Sequence, residues 1–453
     1  MKYKKKKGLK LFLVSSYIPE SEIDQECFLV LKKIRQFFGI EFLDIKATKR
    51  NYVNDTFETL EELQKKHPWV RLIKSKKYAK NLSLESAEKN HNFLNLIKDN
   101  TRTAKSLIYG IPSFEMKPIP RHIKTAPEPV FVWGSGSISK PNYKDTEGGI
   151  YGREHHHRGA LLIEVHPNGD HRVHQLWYDK KTKSICLFKW KFTKEKVSFH
   201  TPQYLIEGDI HPNLCCLDTV AETHRAVRAL KIPNLVRHDY FDATTISHHI
   251  ENNIEAKSEI FEELGTLRDE IELCSNFFKN AEKEMPRTKF HYIYSNHPEH
   301  LIRYLKEKHR QDYVNHRTVV ELNSLYHKNK KTFWWNVFNL HNNLNKKRHK
   351  FYNEGDVLVF KGKNLHFHGH LGIEGGFGTA KSLASLGENI TGHIHKNSIL
   401  RNGSATAGTS TSLILPYTNE NGGSAWSNGH VFLNENGQLN SYVIKNGVGS
   451  LLF

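Results

Sequence analysis

The segment YLIEGDIHPN, residues 204–213, is a short apolar run that ends at Asp209, with His211 two positions further on. This pattern predicts a buried β-strand that carries both polar side chains into the loop at its carboxyl end. Four later segments have the same design, in which metal-binding side chains follow an apolar run. They are RHDYFDA with Asp239 and Asp242, SNHPEH with Asn296 and His297, HFHGH with His368, and TGHIH with His393 and His395.

Strand and helix patterns alternate through this part of the chain. Helical spacing near Leu217–Leu230 follows the first strand, and one long helix with a single apolar stripe is predicted from Ile260 to Ala281. The segments PNLVRHD, KFHYIY and LHFHGH are predicted as further strands. Because the carboxyl ends of strands in an α/β sheet meet at one edge, we expect the polar side chains that follow the predicted strands to converge there. We call these segments the polar tips.

The predicted tips offer carboxylate oxygens, imidazole nitrogens and one amide oxygen. These atoms are ligands for borderline divalent ions such as Mn²⁺, Fe²⁺, Zn²⁺ or Ni²⁺, and not for Ca²⁺ or a thiolate-seeking ion. Seven ligands drawn from these nine side chains would exceed what one ion needs and would suit two ions that share a carboxylate. The sequence therefore predicts two divalent ions per chain, with Mn²⁺ as the preferred metal.

The ordered series D-x-H, D-x-x-D, N-H, H-G-H and G-H-x-H resembles the calcineurin-like metallophosphoesterase superfamily. The resemblance covers residues 204 to about 430, roughly half of the chain. It implies an α/β fold in which a metallophosphoesterase-type β-sandwich is flanked by helices and carries a dinuclear site on one edge. It also implies hydrolysis of phosphoric esters by a water molecule that the two ions activate.

Position by position, the resemblance implies a role for each residue of the series. The first ion would be bound by Asp209, His211, Asp239 and His395, and the second by Asp239, Asn296, His368 and His393, so that Asp239 bridges them. His297 matches the catalytic histidine, which acts near the leaving oxygen of the ester. Asp242 matches the acid that orients this histidine.

Three positions differ from the family pattern or leave it open. His238 precedes the bridging aspartate where the family usually has Gly. Pro298 follows the catalytic histidine where the family usually has an acid, with Glu299 next. His370 competes with His368 as a ligand, and the family's use of the first histidine of H-G-H favours His368.

The chain is predicted to have three parts. Residues 1–125 show a strand–helix–strand pattern typical of a small α/β unit. Residues 126–198 have short β runs with a hairpin turn at 167–170, and we expect this β-rich segment to pack with the first unit. Residues 199–453 contain the metallophosphoesterase-like domain.

The chain is strongly basic. Its 66 lysines and arginines exceed its 48 acidic residues, which gives a net charge of +18. A surface of this charge attracts polyanions, with nucleic acid as the leading candidate and a merely solubilising surface as the alternative. Trp334 and Trp335 lie among lysines, and either base stacking or burial beneath extended lysine side chains explains them.

These observations favour a metal-dependent phosphodiesterase that acts on DNA, that is, a deoxyribonuclease. The overall pattern also resembles phage-encoded members of the superfamily that degrade DNA. The alternatives are a phosphatase or cyclic-nucleotide phosphodiesterase with a small substrate and, less favoured, an inactive nucleic-acid-binding scaffold. The complete ligand set argues against a scaffold, because an abandoned site has no physical reason to keep seven costly polar groups.

Cysteine usage and hydropathy bear on the compartment. The five cysteines include no C-x-x-C pair, which favours a reducing environment. No apolar run approaches the roughly eighteen residues of a membrane helix, and the start MKYKKKKGLKLFLVSS falls short of a signal peptide. We expect a cytoplasmic protein, in the host cytoplasm if a phage encodes it, and the sequence leaves a homo-oligomer open.

Overall fold

The computed structural model describes the chain except for residues 1–2, 49–57, 86–104, 123, 125, 127, 248–253, 308–311, 374–377 and 416–421. The helices of the described part are α1 (Gln25–Phe38), α2 (Glu58–Lys66), α3 (Glu147–Glu154), α4 (Leu217–Leu230), α5 (Ile254–Leu264), α6 (Leu267–Glu284), α7 (Asn296–Glu307), α8 (His316–Lys328) and α9 (Phe333–Asn339). Within the described ranges, no helix combines the length and apolar character needed to span a membrane.

The strands divide between the two halves of the chain. Those before residue 200 are β1 (Lys10–Tyr17), β2 (Leu43–Ala47), β3 (Val70–Leu72), β4 (Lys76–Ala79), β5 (Leu82–Glu85), β6 (Ser106–Tyr109), β7 (Met116–Ile119), β8 (Arg121–His122), β9 (Val130–Gly134), β10 (Gly159–Val165), β11 (His171–Asp179), β12 (Ser184–Leu187), β13 (Trp190–Phe192) and β14 (Val197–Phe199). Those after it are β15 (Tyr204–Ile206), β16 (Asn234–Arg237), β17 (Lys289–Tyr292), β18 (His349–Phe351), β19 (Val359–Phe360), β20 (Lys363–Asn364), β21 (Ile390–Thr391), β22 (Ser398–Ile399), β23 (Ala405–Thr406), β24 (Gly423–Ser424), β25 (Gly429–Leu433) and β26 (Leu439–Val443).

A six-stranded sheet supports the predicted polar tips. Its order is β18-β17-β16-β15-β25-β26. The four strands from β15 to β18 are parallel, and β25 and β26 continue the sheet in antiparallel pairing. The carboxyl ends of four strands therefore lie along one edge, as the alternation of strand and helix patterns predicts.

Side chains of this sheet alternate between two apolar cores. In β16, Leu235 packs into a core that also contains Ile271 of α6, whereas Val236 packs into a core that contains Ile390 of β21. Helices thus cover one face, and a second sheet, ordered β21-β23-β22-β7-β9-β6-β5-β4, covers the other. The protein is a mixed α/β structure, and burial on both faces explains the nearly continuous apolar runs of the strands.

The sheets cross the predicted boundary at residue 199. Met116 of β7 pairs with Ile399 of β22, so the second sheet draws strands from both halves of the chain. The third sheet, ordered β14-β13-β12-β11-β10-β1-β2-β3, contacts the site-bearing sheet where Asn440 Nδ2 donates to the carbonyl oxygen of Gln175 at 2.9 Å. The two halves share cores as well as sheets, and the three-part division stays a prediction.

The single long helix predicted from Ile260 to Ala281 is wrong, because the structure has two helices there. Gly265 adopts a left-handed conformation with φ of 75° and separates α5 from α6. The Thr266 side chain then caps α6 by accepting from the Asp269 N–H, while Asp269 accepts from the Thr266 N–H. A T-x-x-D capping box after glycine is a local signal strong enough to override a continuous apolar stripe.

The segment LHFHGH is also not the strand that its apolar positions predict. Only Lys363 and Asn364, just before it, form a short strand with β19. His368 therefore sits in irregular backbone, next to Gly369 with φ of 114°. Its position depends on tertiary contacts and not on sheet register.

Candidate metal centre

The predicted ligands meet at the carboxyl edge of the parallel strands. Asp209 and Asp239 follow β15 and β16, and Asn296 begins α7 shortly after β17. The three histidines of the last two motifs come from irregular segments after β20 and β21. Of the predicted ligands, five are buried, namely Asp209, His211, Asp239, His368 and His395, and two are half-buried, namely Asn296 and His393.

The four side chains predicted to bind the first ion converge. His395 Nε2 lies 3.1 Å from Asp209 Oδ2 and 3.4 Å from His211 Nε2. His211 Nε2 lies 3.5 Å from Asp239 Oδ2. Ligand atoms about 2.1 Å from one tetrahedral ion are separated by about 3.4 Å, so these distances suit a common cation.

The same oxygen of Asp239 belongs to a second set of contacts. His368 Nε2 lies 3.3 Å from Asp239 Oδ2 and 3.1 Å from Asn296 Oδ1. Asp239 thus lies between the two predicted ligand sets, where a bridging carboxylate belongs. His393 lies beside His368 with ring centroids 5.0 Å apart, but among the described residues it is in none of the groups of histidines and carboxylates whose donor atoms converge.

Unpartnered polar atoms show whether these residues fit a metal. Among the described residues, Oδ1 of Asp209, Oδ1 of Asp239, and Nδ1 of His368 and of His395 are buried without a hydrogen-bond partner. Each such group costs about 1–3 kcal/mol when it stays unpaired. Carboxylate and imidazole donors that face one enclosed space are a suitable coordination shell for a divalent transition ion. The donor set therefore fits metal binding.

The backbone at the ligands is strained. Four of the predicted ligands have left-handed φ angles, namely His211 (42°), Asp239 (43°), His393 (69°) and His395 (53°). Side chains other than glycine rarely adopt this conformation, which costs on the order of 1–3 kcal/mol per residue. Strain of this kind concentrates at binding and catalytic sites, where it aims side chains at a common point.

Gly392 permits the close approach of the last motif to the first. A Cβ atom at this position would lie 2.2 Å from Asp209 Oδ1 and 3.0 Å from Cβ of His238. A larger residue would push the G-H-x-H segment away from Asp209. The glycine of that motif therefore has a steric reason, independent of any family resemblance.

Attraction between opposite charges keeps the buried carboxylates ionised. Burial disfavours the charged form of Asp239, but the neighbouring His368 and His297 hold its pKa well below its usual value. Burial likewise disfavours the charged form of His211, yet Asp242 raises the pKa of His211 to about 9. The carboxylates thus keep their negative charge in the interior. A metal cation that binds there would displace protons from the nearby imidazoles.

His297 and Asp242 adjoin this cluster. His297 Nδ1 lies 3.4 Å from Asp242 Oδ1. The side chain of His297 is 27% exposed to solvent and that of Asp242 is 3% exposed. The same carboxylate oxygen is hydrogen-bonded to His211 Nδ1. The ring centroids of His297 and His211 are 4.7 Å apart. One buried acid thus contacts both a predicted ligand and the predicted catalytic histidine.

Of the two histidines in H-G-H, His368 is the one whose Nε2 approaches oxygen atoms of other predicted ligands, at 3.3 Å from Asp239 and 3.1 Å from Asn296. His370 lies with its ring centroid 5.4 Å from that of His368, and neither of its ring nitrogens has a hydrogen-bond partner in the described part of the chain. The geometry agrees with the preference for His368. The ligand and catalytic roles themselves stay predictions.

The sequence motifs do not predict a buried ion pair that lies just before the two carboxylates of the centre. Arg237 Nε lies 2.8 Å from Glu207 Oε2, and both side chains are fully buried. Ile206 and Val236 are register partners, so Glu207 and Arg237 stand on neighbouring strands just before Asp209 and Asp239. A charged residue at the same place in two adjacent apolar runs is the signal that would have revealed the pair. It ties together the two strands that deliver the carboxylates.

Comparisons with known proteins give one distant relative. The chain is similar to Protein A1 of Escherichia phage T5, with 24% identity over 343 residues, which cover 70% of this chain and 59% of that protein. The matched region therefore spans less than two thirds of the relative's length. No family model matches the chain, and no solved structure matches it.

Proposed function

We propose that the chain is a dinuclear metal-dependent phosphodiesterase of the calcineurin-like metallophosphoesterase superfamily that acts on DNA. The observation that carries the proposal is the position of Asp239 Oδ2, which lies 3.5 Å from His211 Nε2 and 3.3 Å from His368 Nε2. Two ligand sets that meet at one carboxylate oxygen are the arrangement a dinuclear centre needs. When bound, two divalent ions supply an activated water and positive charge at phosphorus.

The residues of the chain would divide the remaining work. Asp242 accepts a hydrogen bond from His211 Nδ1, which leaves the Nε2 lone pair of His211 directed towards the ligand set. The same acid lies 3.4 Å from His297 Nδ1 and orients that ring. His297, half-exposed beside the centre, is then placed to give a proton to the leaving oxygen of the ester.

The layered fold supports the family assignment. Helices cover one face of the site-bearing sheet and a second sheet covers the other, which is the sandwich that the motif series implies. The similarity to a protein of phage T5 agrees with a phage origin of the chain. On that basis we propose that it works in the host cytoplasm.

Exposed lysines support a polyanionic substrate. Trp334 is 3% exposed and stacks on Phe338. Its ring therefore belongs to the core and is not accessible for stacking with a nucleic-acid base. The neighbouring Lys330 and Lys331 are exposed. The Lys331 carbonyl oxygen accepts from Asn353 Nδ2, and Asn353 follows β18 at the edge where the centre lies. Together with the net charge of +18, this position suits contacts with a phosphate backbone.

One assay tests the proposal. Purified protein with Mn²⁺ is incubated with plasmid, linear DNA, RNA and bis(p-nitrophenyl) phosphate, and an Asp239→Asn variant is the control. We expect cleavage of DNA at low salt that chelation abolishes and that the variant lacks. Cleavage of the chromogenic diester alone would assign the site to a small-molecule phosphatase or phosphodiesterase, and no cleavage of any substrate would leave a binding protein.

A further inference from the structure

His238 is a buried histidine whose ring nitrogens form no hydrogen bond within the described residues. It stands directly before Asp239 and is fully buried. An imidazole carries one donor and one acceptor, so burying both unpaired costs free energy that the fold must offset. The residue is also the point at which this chain differs from the glycine of the family pattern.

The nearest metal-binding atoms are themselves unpaired. One donor atom each from His238, Asp209 and His368 lie within 4.8 Å of one another. Within the described part of the chain, Oδ1 of Asp209 and Nδ1 of His368 lack hydrogen-bond partners, and these two atoms lie 3.7 Å apart. The rings of His238 and His368 have centroids 5.5 Å apart. Three residues thus direct unpaired atoms towards one place, and only two of them belong to the predicted ligand set.

An ordinary core histidine looks different in this protein. His349 has a side chain with no exposure, yet Tyr292 Oη lies 3.0 Å from its Nδ1 and Glu282 Oε2 lies 3.2 Å from its Nε2. Burial of a histidine here is therefore compatible with full pairing. The unpaired nitrogens of His238, close to donor atoms of Asp209 and His368, therefore fit a metal ligand better than routine packing.

We propose that His238 is an additional ligand of the metal centre, on the side where Asp209 of the first predicted set and His368 of the second lie close together. This inference rests on the metal centre of the proposed function and extends it by an imidazole that the family pattern does not contain. The chain would then hold its ions with five histidines in place of four.

The test compares metal binding in His238→Gln with that in His349→Gln, a matched change of a buried histidine whose nitrogens are paired. Mn²⁺ and Co²⁺ binding is measured by calorimetry and by ion analysis, and the visible absorption of the Co²⁺-loaded protein reports its coordination. We expect His238→Gln to lose one ion or to bind it at least about 10-fold more weakly, with a changed Co²⁺ spectrum. The His349→Gln protein should bind as the native protein does.

A measurement on the native protein covers the case in which His238→Gln does not fold. With histidine labelled by ¹⁵N and the centre loaded with ¹¹³Cd²⁺, the imidazole of His238 should show coupling to cadmium, and its lack of coupling would overturn the proposal. Unchanged affinity, ion number and spectrum in a folded His238→Gln protein would overturn it as well. If the native protein binds ions and these results are negative, only this inference fails, whereas a native protein that binds no ion removes the proposed function too.

Discussion

Asp242 holds its Oδ1 atom 3.4 Å from Nδ1 of His297. The same oxygen is hydrogen-bonded to Nδ1 of His211, so one carboxylate fixes two imidazoles with different predicted tasks. For the proposed tasks, the contact at Nδ1 leaves Nε2 of His211 available for a metal and Nε2 of His297 available for a substrate. Asp242 therefore couples the orientation of the proposed acid–base group to that of the proposed metal ligand.

His297→Gln should keep the metal content and cut the rate of diester hydrolysis by about 10²–10⁴-fold, the usual range for a general acid–base group. The deficit should shrink on esters with good leaving groups, which need less help at the departing oxygen. Steady-state rates on a series of aryl phosphodiesters check this. A uniform loss across the series would point to a binding or folding role instead.

Asp242→Asn should lower both the rate and the affinity for one metal ion, because the substitution weakens the hold on His297 and on His211 together. A loss of about 10–100-fold in affinity is typical when the partner of a metal-binding histidine is removed. Calorimetric titration with Mn²⁺ compares this variant with His297→Gln, whose metal affinity should match that of the native protein. Equal metal affinity in both variants would contradict the shared role of Asp242.

Glu270 should make stability depend on pH. Burial raises its pKa from the ordinary 4.5 to about 7, although the backbone N–H groups of Thr244 and Thr245 donate to its carboxylate. The folded protein thus binds this proton more tightly than the unfolded chain, so its contribution to stability is present below pH 4.5 and is lost as the pH rises through about 7.

Glu270→Gln removes this titration. The free energy of unfolding of the variant, relative to that of the native protein, should therefore rise by about 3 kcal/mol between pH 4.5 and pH 8. Urea unfolding at several pH values gives the difference, in which contributions from other groups cancel. A difference that is constant with pH would show that Glu270 is already charged in the folded protein at low pH.

Lys330→Gln combined with Lys331→Gln should weaken DNA binding and make it less sensitive to salt. Each lost phosphate contact lowers the slope of log K against log salt by about 0.9 on duplex DNA, so we expect a decrease of about 1–2. Hydrolysis of a small chromogenic diester should be unaffected. The matched control is Lys180→Gln with Lys181→Gln, two exposed lysines in the turn between β11 and β12 of another sheet.

Local patterns were sufficient for the elements that bring the ligands together. The period of 3.6 residues predicts α4 from Leu217 to Leu230, where the structure has it. The apolar runs before Asp209 and Asp239 predict β15 and β16, and parallel order follows from the intervening helices. These features depend on residues close together in the chain, which is why the edge of the sheet could be inferred without a structure.

Contacts between residues far apart in the chain could not be predicted from these local patterns. The pairing of Met116 with Ile399 joins the two halves of the chain in one sheet, and no local sequence pattern predicts this pairing. Nor does any motif place His238 near His368, because that contact requires the irregular segment after β20. The shared sheets also mean that removing residues 1–198 would break the core, so point substitutions are the cleaner way to separate DNA binding from catalysis.

The number of divalent ions bound per chain is the most direct test of the proposed dinuclear centre. Ion analysis of the protein saturated with Mn²⁺ is combined with calorimetric titration of the native chain and of Asp239→Asn, and DNA cleavage is assayed on the same samples. We expect at least two ions in the active native protein, and in the variant a loss of bound metal with most of the cleavage activity, because the bridge and its charge are both weakened. Full cleavage activity in a native protein that binds no more than one ion at saturation would contradict the account.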